Sequence, residues 1–143
     1  MKVKVGYTIG VFDLFHIGHL NLLRSAKSHC DRLIAGVSTD ELSFKVKGKK
    51  PIIPFEERIE IVRNITYVDA AVPVDSTDKL EAWKRLGFNA IFKGDDWKDS
   101  EEWNKLEKTF REIGVEVIYL PYTKHTSSTM IRNILENIYS ESG

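Results

Sequence analysis

Val3-Lys4-Val5-Gly6-Tyr7-Thr8-Ile9-Gly10-Val11-Phe12-Asp13-Leu14-Phe15-His16-Ile17-Gly18-His19 is the stretch from which the rest of the 143-residue chain is read. Its apolar positions and glycines (Val3, Val5, Gly6, Ile9, Gly10) describe a strand ending in a tight turn, and Leu20 to Ala26 continue as an amphipathic helix. His16 and His19 then fall on the first helical turn, on one face, where backbone N–H groups already favour phosphate. Gly18 between them carries no side chain to hold a ligand off the backbone. Imidazoles donate hydrogen bonds to phosphate oxygens and, when protonated, offset charge that develops in phosphoryl transfer. Asp13 is placed either to cap the helix or to face the nucleotide. A zinc pair is the competing reading, but no Glu follows the first histidine and no third ligand is apparent, so a triphosphate site is predicted and no metal ligand is named.

Apolar runs and helical patterns alternate beyond this stretch. Strands are predicted near Lys2 to Ile9, Arg32 to Ser38, Val68 to Val74, Ala90 to Lys93 and Val115 to Leu120. Helices are predicted near Gly18 to Ser28, Pro54 to Asn64, Asp78 to Leu86, Ser100 to Ile113 and Ser127 to Tyr139. Such alternation gives an α/β, Rossmann-like doubly wound domain over residues 1–143, a five-stranded parallel sheet with helices on both faces. Its ligands bind beyond the carboxyl ends of the strands. Lys45-Val46-Lys47-Gly48-Lys49-Lys50-Pro51 reads as too basic and too glycine-broken for a regular element, and its place after the second strand suggests a mobile cationic flap over the triphosphate.

Basic and acidic residues are equal in number, 21 each, which argues against a general nucleic-acid binder; any basic patch must be local. The lone Cys30 excludes an internal disulfide and, with no base motif around it, reads as a bland residue of the Ser28-His29-Cys30-Asp31 turn. His29 in the same turn reads as a helix C-terminal residue. No signal peptide or membrane-spanning run is visible, which points to a cytoplasmic protein with no membrane insertion.

Gly10-Val11-Phe12-Asp13-Leu14-Phe15-His16-Ile17-Gly18-His19, followed by Ser38-Thr39-Asp40, Arg58, Gly94-Asp95-Asp96-Trp97 and Ser127-Ser128-Thr129, resembles the small cytidylyltransferases. Among them the glycerol-3-phosphate branch is the most similar, and the match runs from about Val3 to Ile138. The resemblance implies direct attack of an acceptor phosphate on the α-phosphorus of CTP, with no covalent enzyme intermediate, in the synthesis of cell-envelope or capsule precursors. It implies His16, His19, Lys47 and Arg58 as catalytic residues. Ile9, Gly10, Val11, Phe12, Asp13, Gly18, Asp95, Thr126, Ser127, Ser128 and Thr129 are implied as nucleotide-binding. Lys49, Arg63, Asp40 and Tyr122 are implied around the substrate, Lys45 being an alternative flap lysine. The partners implied are CTP and a small phosphorylated alcohol, with Mg²⁺ carried mainly by the phosphates and a homodimer whose interface draws on Ile59 to Val74.

Two departures from the family pattern bear on the acceptor. The chain reads Tyr122-Thr123-Lys124-His125 where relatives carry Arg-Thr-Glu-Gly, so that Tyr122, Lys124 or Arg132 must stand in for an arginine. Thr66 precedes Tyr67-Val68-Asp69 where relatives often place another arginine, and Arg63 on the same helix is its candidate substitute. The alternatives are the same transfer to phosphoethanolamine, phosphocholine or a sugar phosphate, ATP as donor, or a noncatalytic nucleotide-binding module.

Overall fold

The computed structural model describes residues 2–94, 100–121 and 128–142, the side chains of 128 and 139–142 excepted. The chain runs β1 (Val3–Gly10), α1 (Ile17–Ser28), β2 (Cys30–Ser38), α2 (Asp40–Lys47), α3 (Phe55–Arg63), β3 (Ala70–Val74), α4 (Lys79–Leu86), β4 (Ala90–Gly94), α5 (Glu101–Glu112), β5 (Glu116–Leu120) and α6 (Ser128–Ser142). All strand pairs are parallel, in the order β3-β2-β1-β4-β5. The winding therefore reverses at β1, whose carboxyl end lies between those of β2 and β4 and opens the crevice where such sheets take ligands.

Alternation along the central strands sends side chains into two cores. Leu33, Ala35 and Val37 of β2 pack with Leu23 and Ala26 of α1 and with Ile59 and Val62 of α3. Ile34 of β2, with Tyr7 and Ile91, packs with Ala82 of α4 and with Trp103 and Phe110 of α5. A strand covered on both faces has no polar side, which is why β2 reads in sequence as an apolar run rather than an alternation.

The predicted strands and helices lie within about two residues of those observed, apart from the last helix, which runs on to Ser142. Cys30 belongs not to a turn but to the start of β2, where it is buried and its thiol is pushed up by desolvation, in keeping with an inert residue. His29 is the C-cap of α1. The element that composition concealed is α2. Lys45, Val46 and Lys47, expected in an irregular flap, form its last turn. Three local devices account for this. The Thr39 hydroxyl accepts the Leu42 N–H at 3.2 Å as N-cap. Asp40 and Glu41 in the first turn and Lys45 and Lys47 in the last complement the helix dipole. Gly48 then stops the helix in the left-handed region at φ 76°, its N–H bonded to the Phe44 carbonyl at 2.8 Å.

Candidate functional site

The turn from β1 into α1 is built around its aromatic rings. Phe12 and Leu14 adopt left-handed backbone, φ 54° and 52°, unusual for residues with a Cβ and a mark of a chain bent to aim its neighbours. Phe12 is buried, and its ring lies over Gly10, where a Cβ would stand 2.9 Å from it; the glycine makes room for the bend. The residue enclosed by the bend, Asp13, is buried.

His16 is the N-cap of α1 rather than a first-turn residue, and it, not Asp13, caps the helix. Its Nδ1 accepts the Gly18 N–H at 3.0 Å, and its own N–H donates to Nδ1 of His19 at 3.2 Å. With both Nδ1 atoms accepting, each neutral imidazole carries its hydrogen on Nε2. The rings lie against one another with centroids 4.1 Å apart, and Phe12 and Phe15 flank His19 at 5.5 and 5.2 Å. Burial among these rings, reinforced by His16, pushes the His19 pKa down to about 4, against a smaller upward pull from Asp13. Desolvation lowers that of His16 too. At neutral pH, without a bound anion, the pair is neutral and acts as two N–H donors.

Asp13, Arg58 and Asp40 fix the segment after α2. The Asp13 carboxylate accepts the N–H groups of Ile52 and Ile53 at 2.8 and 2.9 Å. The fully buried Arg58 donates to the carbonyls of Ile53 (2.8 Å), Val11 (2.7 Å) and Ser38 (2.8 Å) and to Asp40 (2.6 Å). Asp40 also accepts the Phe55 N–H at 3.4 Å. One guanidinium thereby joins the carboxyl ends of β1 and β2, the start of α2 and the approach to α3. This corrects two expectations: Arg58 is turned inward on backbone rather than outward to phosphate, and Asp40 is its counter-ion rather than a substrate contact.

Above the ends of β1 and β4 lies a cavity of about 560 Å³. Ile9, Gly10, Val11, Phe12, Asp13, His19, Lys47, Lys49 and Thr129 all line it, so the structure brings nine of the expected residues to one place. His16 joins through its ring contact with His19. Gly18 does not line it, and its N–H is committed to His16. Arg63 is displaced from the site: α3 runs back from the carboxyl edge, its last turn lies about 12 Å from Phe55, and the side chain is exposed and paired with Glu60 at 2.7 Å. Asp95, Tyr122, Thr126 and Ser127 lie outside the described residues, as does the side chain of Ser128.

Arg132 apart, the other polar residues of the cavity wall were not among those expected. Arg132 of α6 reaches toward Asp13 at 3.8 Å and donates to the Lys50 carbonyl. It was one of three candidates to stand in for the missing arginine, and it lines the cavity wall; the other two, Tyr122 and Lys124, lie outside the described residues. Ser43, Lys79, Lys93 and Trp103 complete other parts of the wall. No local motif marks them; only the strand order, which brings the carboxyl ends of β2, β3 and β4 to the same edge as that of β1, could have found them. Among the described residues no three His, Cys, Asp or Glu side chains cluster to hold a metal ion, and no helix is long and apolar enough to cross a membrane.

The chain is similar to known proteins over nearly all its length. A family model described as cytidylyltransferase-like matches residues 7–134. An FAD synthase of Pyrococcus abyssi is 38% identical over 141 residues, covering 96% of this chain and 92% of the relative. A glycerol-3-phosphate cytidylyltransferase of Bacillus spizizenii is 36% identical over 137 residues, covering 95% of this chain and all, 100%, of the relative. In fold, a lipopolysaccharide core biosynthesis protein of Thermoplasma volcanium superposes with a TM-score of 0.74 at 24% identity, covering 85% of this chain and 99% of the other.

Proposed function

The chain belongs to the cytidylyltransferase-like family, and from that membership we propose that it transfers a cytidylyl group from CTP to glycerol 3-phosphate, giving CDP-glycerol and pyrophosphate. The observation that carries the proposal is the convergence, on one cavity, of His19, with His16 in ring contact behind it, with lysines of α2 and the loop after it and with Arg132. In a chain with 21 basic and 21 acidic residues, that local cluster matches a polyanionic ligand.

In the proposed reaction an oxygen of the acceptor phosphate attacks the α-phosphorus of CTP as the bond to the bridging oxygen breaks and pyrophosphate leaves with the electron pair. Nε2–H donors on His16 and His19 stabilise charge on the transferring group, and Lys47 and Lys49 hold the phosphates. Arg58 and Asp40 act at one remove by fixing the backbone around the site. Mg²⁺, when bound, neutralises charge on the leaving pyrophosphate. Both Asp13 oxygens already accept amides, so phosphate oxygens and water suit the ion better than a protein cage. A homodimer belongs to the same proposal, with the exposed Ile61 of α3 in its interface; equilibrium sedimentation would then give twice the 16.4 kDa chain mass.

The FAD synthase relatives favour a second reading, the same chemistry with ATP as donor and a flavin phosphate as acceptor. Pyrophosphate release with Mg²⁺ decides, measured for four nucleoside triphosphates against glycerol 3-phosphate, phosphoethanolamine, phosphocholine, sugar phosphates and FMN. Release with CTP and glycerol 3-phosphate alone is expected. Release with ATP and FMN replaces the proposal by the second reading, and nucleotide binding without release from any pair rejects transfer.

A further inference from the structure

Helix α2 sorts its side chains against the usual pattern. Its buried residues are Leu42 and Ser43, while Phe44 and Val46 stand 53% and 60% exposed. A surface helix ordinarily does the reverse, turning its apolar residues inward and its hydroxyls out. Ile52, on the segment that follows, is 41% exposed as well. A single apolar residue at a surface needs no explanation, but three within the nine residues from Phe44 to Ile52, two of them more than half exposed, do.

Positive charge runs along the same stretch. Phe44-Lys45-Val46-Lys47-Gly48-Lys49-Lys50 is exposed at every residue, and no acid lies between Glu41 and Glu56. Among the described residues, Lys49 is the only one of these four lysines paired with a carboxylate, that of Glu136 at 3.8 Å. A bound triphosphate accounts for part of this arrangement, because Val46, Lys47, Lys49 and Lys50 line the cavity. It does not account for Phe44, Lys45 and Ile52, which are exposed without lining the cavity and so form the outer side of the segment.

Bare apolar side chains interleaved with lysines match the boundary between water and anionic headgroups, where apolar groups reach past the phosphates and ammonium groups lie among them. A second copy of the chain fits this side less well, since a two-fold contact sets its lysines against themselves. A peptide ligand calls for a groove, whereas a stretch exposed at seven successive residues stands out from the body. We propose that the outer side of residues 44–52 docks this protein on the surface of an anionic lipid bilayer, with Phe44 and Ile52 entering the headgroup layer and Lys45, Lys49 and Lys50 lying among its phosphates. This is attachment to a surface and not a span: no helix among the described residues is long and apolar enough to cross a membrane. It does not depend on the nucleotidyl-transfer reading.

Co-sedimentation of the full chain with vesicles is the experiment, the vesicles being phosphatidylcholine alone or phosphatidylcholine with about one-third phosphatidylglycerol. Binding is expected to the mixed vesicles only, and to weaken about tenfold or more as salt rises from about 0.05 to about 0.5 M. Lys45→Gln weakens it about fivefold, the effect of one lysine near such a surface. Phe44→Gln weakens it about fivefold to tenfold through lost apolar area, while affinity for a non-hydrolysable CTP analogue in lipid-free solution stays at the wild-type value. Phe44→Leu keeps most of that area and most of the binding, which separates lost insertion from a damaged helix. If Phe44→Gln melts below the wild type, Ile52→Gln makes the same test outside the helix. No binding to the mixed vesicles, equal binding to both kinds, or undiminished binding by Phe44→Gln and Ile52→Gln overturns the proposal. A dimer in lipid-free solution that Phe44→Gln dissociates overturns it as well, and assigns the outer side to a second copy of the chain.

Discussion

The imidazole of His16 closes the first turn of α1 through Nδ1, which leaves its other nitrogen for chemistry, and a substitution can separate the two roles. Asparagine keeps an oxygen at the capping position and removes the Nε2–H donor. His16→Asn is therefore expected to melt near the wild type while kcat falls about 100- to 1,000-fold, whereas His16→Ala loses about 1 kcal/mol of stability as well. Thermal melts beside steady-state rates test this, and an active Asn variant would reduce His16 to a cap. His19 makes a different prediction because its folded pKa, about 4, lies below the ordinary 6.5. Between those values the unfolded chain binds a proton that the native ring does not. Stability is thus fully present above pH 6.5 and is lost as pH falls toward 4, by about 3 kcal/mol in all. Urea midpoints measured against pH should show that loss in the wild type and much less of it in His19→Gln. Equal slopes in the two proteins would mean that other groups carry the acid sensitivity.

At the scale of elements, the decisive contacts join segments rather than residues within one. Arg58 is anchored in α3, yet its hydrogen bonds end on the carboxyl ends of two strands, on the first residue of α2 and on the segment between the two helices. Arg58→Met leaves three carbonyls, that of Ser38 buried and those of Val11 and Ile53 half-buried, and a carboxylate without their donor, for which a loss of about 3 kcal/mol is expected. The amides of Ile52 and Ile53, held by Asp13, should then exchange hydrogen faster than in the wild type. Unchanged chemical stability with unchanged exchange there would return Arg58 to the catalytic role that the resemblance implied. These elements also show what the sequence makes legible. The strands and five of the helices were visible because burial imposes a period on their apolar residues. Helix α2 was not, because its signals are a Thr cap, a graded charge and a terminal glycine, while its run of lysines resembles a solvated loop. The inward turn of Arg58 was hidden for a related reason: sequence gives the spacing of a side chain but not the carbonyls that tertiary contacts bring to it.

For the molecule as a whole, the contrast lies between a chain of zero formal charge and a cavity wall carrying Lys47, Lys49, Lys50, Lys79, Lys93 and Arg132 against Asp13 and Glu102. The neutral total correctly argued that any basic patch must be local, and the motif around His16 located one wall of it. The other walls come from segments far apart in sequence, joined by the order β3-β2-β1-β4-β5, so their residues carry no common pattern to read. Such a focused field would attract the proposed triphosphate over distances that salt shortens, whereas hydrogen bonds inside the cavity are screened much less. Raising ionic strength from about 0.05 to about 0.5 M at constant free Mg²⁺ should therefore raise KM for the nucleoside triphosphate about tenfold and change kcat little. Lys49 is the residue with which to attribute the effect, since it is exposed on the rim with only a 3.8 Å approach to Glu136. Lys49→Gln should raise KM at low salt and converge on the wild type at high salt. A salt-independent KM, or a variant that differs equally at both ends, would place nucleotide affinity in short-range contacts and leave the cationic wall to the acceptor.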